Sequence, residues 1–200
     1  MPDSKKTPHK ADIAELIPFD GLTLAQIFVV TDERQAALAL EELLQAGEVG
    51  FDTESKPTFH KGQKSEGPHV LQFSTTEKAF IFQSHVVASH PAIMELLRSE
   101  KLGKIGFGLG GDLHQISQRF GIRPGAILDL DRSFKQLGYR NAVGAKSAIA
   151  ILFNRKLQKS KSVTTSNWAA KELSDGQLIY AANDAYAAIK VFHALQCAPQ

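Results

Sequence analysis

Hydrophobic positions fall into short runs through the first two thirds of the chain and into helical spacing thereafter. "QIFVV" (26–30), "EVGFDTE" (48–54), "HVLQFST" (69–75), "KAFIFQ" (78–83), "KIGF" (104–107) and "AILDL" (126–130) each read as a strand, short and rich in β-branched or aromatic residues. The third and fourth form a hairpin through "TE". Helical periodicity marks "ERQAALALEELLQA", which follows "TD" as an N-cap and stops at Gly47. It also marks "PAIMELLRSE", with Pro91 in its first turn, and "GLGGDLHQISQRF", a turn running into a helix. Beyond residue 130 the pattern is helical: "DRSFKQLG", "GAKSAIAILFN" and a long final helix over 174–196. That helix opens on Ser174 and Gln177 at capping-box spacing.

Residues 1–16 read as a loose tail, and "SKPTFHKGQKSEGP" (55–68) as a loop carrying three lysines. There is no internal repeat and no linker long enough to divide the chain. The expectation is an N-terminal tail over 1–23 and one α/β domain over 24–200, built on a mixed sheet with helices interleaved.

Composition adds little to this picture, and charge adds more. At 200 residues with 43% hydrophobic and 22% charged side chains, the chain is an ordinary globular one. No stretch approaches the ~20 apolar residues of a membrane span, and residues 1–10 lack the apolar run of a signal peptide. The single cysteine, Cys197, cannot form an internal disulfide, so a cytoplasmic location is expected. From Arg132 to Lys171 there are nine Lys or Arg and no Asp or Glu; the remaining positions hold 14 basic and all 21 acidic side chains. Such segregation suits a surface facing a polyanion, and it also suits a solvated basic face.

The acids carry the chemistry. Asp52 and Glu54 lie two apart in a strand, so both point to one face, where unpaired carboxylates repel and resist burial. Asp112 stands at a strand-to-helix turn. Asp184 follows Tyr180 by one helical turn, at the margin of the buried stripe of the last helix, with Gln177, Asn183 and Lys190 on the polar side. Four carboxylates brought together need divalent cations, and all-oxygen ligands favour Mg²⁺ or Mn²⁺. Two such ions stabilise both the attacking and the leaving oxygen when a phosphodiester is cleaved.

"FDTE", an aspartate after the "KIGFGL" strand, and "YAANDA" together resemble the DEDD superfamily of 3′–5′ exonucleases. The Tyr-x-x-x-Asp spacing resembles its tyrosine subclass, the group of ribonuclease D and the Werner-type exonuclease domain; "SNWAAKELSDGQLIYAANDA", including Trp168, is similar to the latter. The likeness runs over residues 24–196. It implies a ribonuclease H-like fold, a mixed sheet of five or slightly more strands flanked by helices. It implies two divalent cations, with Asp52, Glu54 and Asp184 holding the first and Asp52 with Asp112 the second. It implies that Glu54 and Tyr180 orient the attacking water. The expected activity is removal of 5′-mononucleotides from the 3′ end of DNA or RNA. The alternative is a catalytically weak nucleic-acid-binding module of the same fold. Lys56, Lys61, Arg155 and Lys156 are the expected phosphate contacts.

Other patterns compete with this reading. "GFGLGG" (106–111) has the spacing of a dinucleotide-binding loop, with Asp129 further on, but Asp112 would put a carboxylate where a pyrophosphate belongs, so no NAD is expected. The seven histidines show no metal-ligand spacing. Trp168 could stack on a base, though packing beneath the final helix cap fits its position better.

Overall fold

The computed structural model describes residues 5–58 and 65–197. Its sheet has six strands: β1 (Ile27–Val30), β2 (Glu48–Glu54), β3 (Val70–Ser74), β4 (Ala79–Gln83), β5 (Gly103–Gly106) and β6 (Ile127–Asp129). Their spatial order is β1-β4-β3-β2-β5-β6. β2, β3 and β4 form an antiparallel meander, while β1 joins β4, β5 joins β2 and β6 joins β5 in parallel. The helices are α1 (Lys10–Glu15), α2 (Glu33–Ala46), α3 (His90–Arg98), α4 (Gly110–Phe120), α5 (Leu130–Gln136), α6 (Ala145–Phe153), α7 (Lys161–Thr164) and α8 (Asp175–Cys197). Each of the six expected strands is present.

Strand alternation divides the core into two layers. Val49, Phe51, Leu71, Phe73 and Phe82 point to the side covered by α2 and α3, and the rings of Phe51 and Phe73 lie 5.0 Å apart. The opposite side, where Gly50, Asp52 and Glu54 emerge, is covered by α8, which packs across β2, β3, β4 and β5. Small residues make that approach close. α8 buries Ala181, Ala182, Ala185, Ala187 and Ala188, and a Cβ built on Gly50 would lie 1.8 Å from the Ala185 carbonyl oxygen. Gly50 is the place where helix backbone rests on strand backbone.

The polar side of α8 differs from the sequence expectation. Gln177 and Asn183 are buried: the segment before β1 meets Asn183, and Gln177 Nε2 donates to Ser166 Oγ (3.0 Å) and the Asn167 carbonyl (3.4 Å). Asn183 Nδ2 donates to the Leu22 carbonyl (3.2 Å), and the Leu22 N–H donates to Asn183 Oδ1 (2.7 Å). The Lys156 N–H donates to the Ile17 carbonyl and the Phe19 N–H to the Lys156 carbonyl, both at 2.9 Å. Residues 17–22 thus form a strap hydrogen-bonded to α8 and to the chain after α6.

Candidate active site

Two elements from opposite ends of the sequence build the site. β2 delivers Asp52 and Glu54 on its α8 face. α8 delivers Tyr180 and Asp184, its start fixed by a reciprocal cap: the Ser174 N–H donates to Gln177 Oε1 (3.1 Å) and the Gln177 N–H to Ser174 Oγ (3.3 Å). With helix start and strand contact both fixed, Asp184 faces β2. Asp52, Glu54 and Asp184 each place an oxygen within 4.8 Å of the others. Asp184 is only 5% exposed, well inside the margin position expected for it.

Asp112 opens α4 beside this group without joining its tight cluster. It accepts a hydrogen bond from the hydroxyl of Thr53, which points to the other face of β2. The turn before α4 is held by Asp129, whose carboxylate accepts from the N–H groups of Gly108 (2.9 Å) and Leu109 (3.1 Å). The glycine-rich turn therefore directs two of its amides at a carboxylate of its own chain.

All four acids resist ionisation in this setting. Burial, then the charges of Asp184, Asp112 and Glu54, hold the Asp52 carboxyl well above the ordinary range. Burial and Asp184 push Glu54 up to about 8. Burial also raises Asp112 and Asp184, the latter despite a close cation. That cation is Lys159, whose Nζ lies 2.6 Å from Asp184 Oδ2 and 5.4 Å from the Tyr180 ring centre. Burial works against its charge, but Asp184 and its hydrogen bond outweigh burial and raise the ammonium pKa.

The Tyr180 hydroxyl accepts a hydrogen bond from Thr164 Oγ1 at 3.0 Å. Burial and Asp184 raise its pKa, so the hydroxyl keeps its proton. Trp168 is fully buried against the Tyr180 ring, centroids 5.8 Å apart, with its indole N–H directed at the Thr164 carbonyl (3.3 Å). Its role is packing that sets the position of Tyr180.

The donor set fits hard divalent cations. Three carboxylates converge, each with its ionisation disfavoured by burial, and an ammonium already stands against one of them. Next to Asp52 in register, Gln72 is buried with neither side-chain polar atom partnered. Of the expected phosphate contacts, Lys56 is exposed two residues past Glu54, and Lys61 lies outside the described residues. Arg155 is near Phe19 and Asp20 of the strap region, and the Lys156 ammonium donates to the Ala14 carbonyl (2.8 Å). Lys146, at the start of α6, is exposed and acts electrostatically on Asp184. Sequence reasoning missed Lys159, Thr164 and Lys146 as site residues. The surplus of basic residues over 132–171 held two of them, undistinguished from their neighbours.

A mixed sheet that presents converging acids to a covering helix defines an α/β protein with a carboxylate cluster suited to divalent cations. The 3′–5′ exonuclease family model matches residues 27–198, and the chain belongs to that family. It is 28% identical over 150 residues to the mouse bifunctional 3′–5′ exonuclease/ATP-dependent helicase WRN, covering 74% of this chain and 11% of that protein. It is 29% identical over 156 residues to an Arabidopsis thaliana 3′–5′ exonuclease, covering 76% of this chain and 53% of the relative. The chain thus spans about half or less of these relatives' lengths. Among solved structures, the Aedes aegypti Nibbler EXO domain superposes with a TM-score of 0.73 at 20% identity, over 88% of this chain and 89% of that one. Trypanosoma brucei RNase D in complex with RNA U12 gives 0.76 at 18% identity, over 95% and 66%. The fold is the ribonuclease H-like one, with six strands.

Proposed function

We propose that this chain is a divalent-metal-dependent 3′–5′ exonuclease that removes nucleoside 5′-monophosphates from the 3′ end of DNA or RNA. The convergence of Asp52, Glu54 and Asp184 carries the reading. In it, these three carboxylates hold a first Mg²⁺ or Mn²⁺, and Asp52 with Asp112 holds a second. When bound, the two cations make the attacking water more acidic and offset charge on the leaving 3′ oxygen.

The chain's own groups do the rest. Glu54 and the Tyr180 hydroxyl orient the water; Tyr180 keeps its proton and serves as a hydrogen-bond partner rather than a base. Thr164 and Trp168 hold that phenol in place. Lys56, exposed two residues past Glu54, and Lys146, which acts on Asp184, take the phosphate backbone, with Arg155 and Lys156 extending the basic surface. The single cysteine supports a reducing, cytoplasmic setting.

The test is degradation of 5′-labelled DNA and RNA oligonucleotides, alone and annealed, with Mg²⁺ or Mn²⁺ and with chelator. The expected result is stepwise shortening from the 3′ end that stops in chelator and in Asp52→Ala. Undiminished shortening in either would refute the reading.

A further inference from the structure

Lys159 comes from the chain between α6 and α7, outside every motif that points to the carboxylates. It nevertheless makes the shortest ion pair in the site, 2.6 Å to Asp184 Oδ2, with a side chain that is three quarters buried. The same ammonium lies over the Tyr180 ring and is close enough to Asp52 and Glu54 to act on both. A lysine that served only the surface would keep its head in water and its stem on the protein. This one turns its head inward, onto a carboxylate that shares a 4.8 Å cluster with two more.

We propose that Lys159 is the resident counter-ion of the carboxylate cluster. Its ammonium holds Asp184 until a divalent cation takes that carboxylate, and the released ammonium then binds a phosphate oxygen of the nucleic-acid strand. This rests on the exonuclease reading above.

Electrostatics sets the order of events. A buried ammonium and a divalent cation cannot both occupy the same face of Asp184 without strong repulsion, and the double charge wins the acids. The displaced head stays on a long flexible stem anchored beside Tyr180, where the reacting phosphate must lie for Tyr180 to act. A phosphate oxygen is the one anionic partner the substrate brings there. Lys159 is a positioning residue in the free protein and a substrate contact in the loaded one.

The inference predicts opposite changes in two affinities. Removing the charge with Lys159→Met keeps most of the stem and frees Asp184. Mn²⁺, titrated calorimetrically without nucleic acid, should then bind about ten-fold more tightly or better, since a unit charge a few ångströms away is worth at least that much near a protein surface. Titrating at alkaline pH limits competition from protons. A single-stranded oligonucleotide, titrated with Ca²⁺ present so that turnover is minimal, should instead bind about ten-fold more weakly to the same variant. Lys159→Arg retains the charge and should keep both affinities near those of the unaltered chain, which separates charge from packing. Equal or weaker Mn²⁺ binding by a folded Lys159→Met, or unchanged oligonucleotide binding, overturns the inference and leaves the exonuclease reading standing. Failure of the unaltered chain to bind Mn²⁺ overturns both.

Discussion

Glu54 shows how a single side chain couples chemistry to stability. Burial and Asp184 raise its pKa from 4.5 to about 8, so between those values the folded chain holds a proton that the unfolded chain has lost. Its favourable contribution is complete below about pH 4.5 and is lost as pH rises through about 8. Stability of the metal-free protein should therefore decline across that window. Asp52 is held above its ordinary range by burial and then by Asp184, Asp112 and Glu54, so Asp52→Asn removes a second such group, and denaturation at several pH values should show a flatter decline and a more stable variant at the alkaline end. A steeper decline in the variant would contradict the assignment of repulsion. Tyr180→Phe isolates another role. It keeps the packing on Trp168 and should leave Mn²⁺ affinity unchanged, while kcat falls by up to ~10²–10³ with little effect on KM. A Phe variant that regained full rate on adding metal would reduce Tyr180 to a packing residue. Asp52, Glu54, Tyr180 and Asp184 are legible in the sequence because strand alternation and helical spacing fix which way they point. Lys159, Thr164 and Gln72 are not, since each meets the site through long-range contacts that no local pattern encodes.

At the level of elements, the site is a contact between one strand and one helix. Its geometry depends on Gly50, where a side chain would meet the backbone of α8. Gly50→Ala should lift the helix from β2, costing about 1–3 kcal/mol by the usual penalty for overpacking. Because Asp184 moves with the helix, Mn²⁺ affinity should fall as well, although no ligand has changed. Thermal unfolding and calorimetric titration of the same variant check both parts, and normal metal binding would show that the helix seat tolerates a methyl group. The strands and α8 follow from periodicity, and the cap at Ser174 and Gln177 places the helix start within a residue. The polar side of α8 does not follow. Gln177 and Asn183 look solvent-facing in any helical projection; the return of residues 17–22 covers Asn183, and Ser166 and Asn167 cover Gln177.

Across the whole molecule, charge is sorted toward the second half of the chain, but the basic residues have divided tasks. Lys159 faces inward, Lys156 holds the segment around Ala14, and Lys56 and Lys146 stand exposed. Each phosphate contact on a single strand contributes a salt-dependence slope of about −0.7. The double substitution Lys56→Gln and Lys146→Gln should flatten the slope of oligonucleotide binding by about one to two such contacts. Arg155→Gln with Lys156→Gln should flatten it less and lower thermal stability more, because that pair borders the strap. Equal slopes in the first variant and the unaltered chain would place the strand elsewhere. The excess of basic residues over 132–171 is plain in the sequence; which of them meets an acid, a carbonyl or solvent depends on the folded path.

The seat of α8 on Gly50 also bears on how the protein is born. Synthesis releases β2 well before α8, so a nascent chain displays Asp52 and Glu54 long before Asp184 exists to meet them. Until α8 leaves the ribosome, the sheet face around Gly50 and Gln72 is open to water and the carboxylates have no third member. A chain halted before Asp175 cannot assemble the cluster at all. The three-carboxylate cluster thus waits on α8, and an unfinished copy that lacks this helix holds only two of its members.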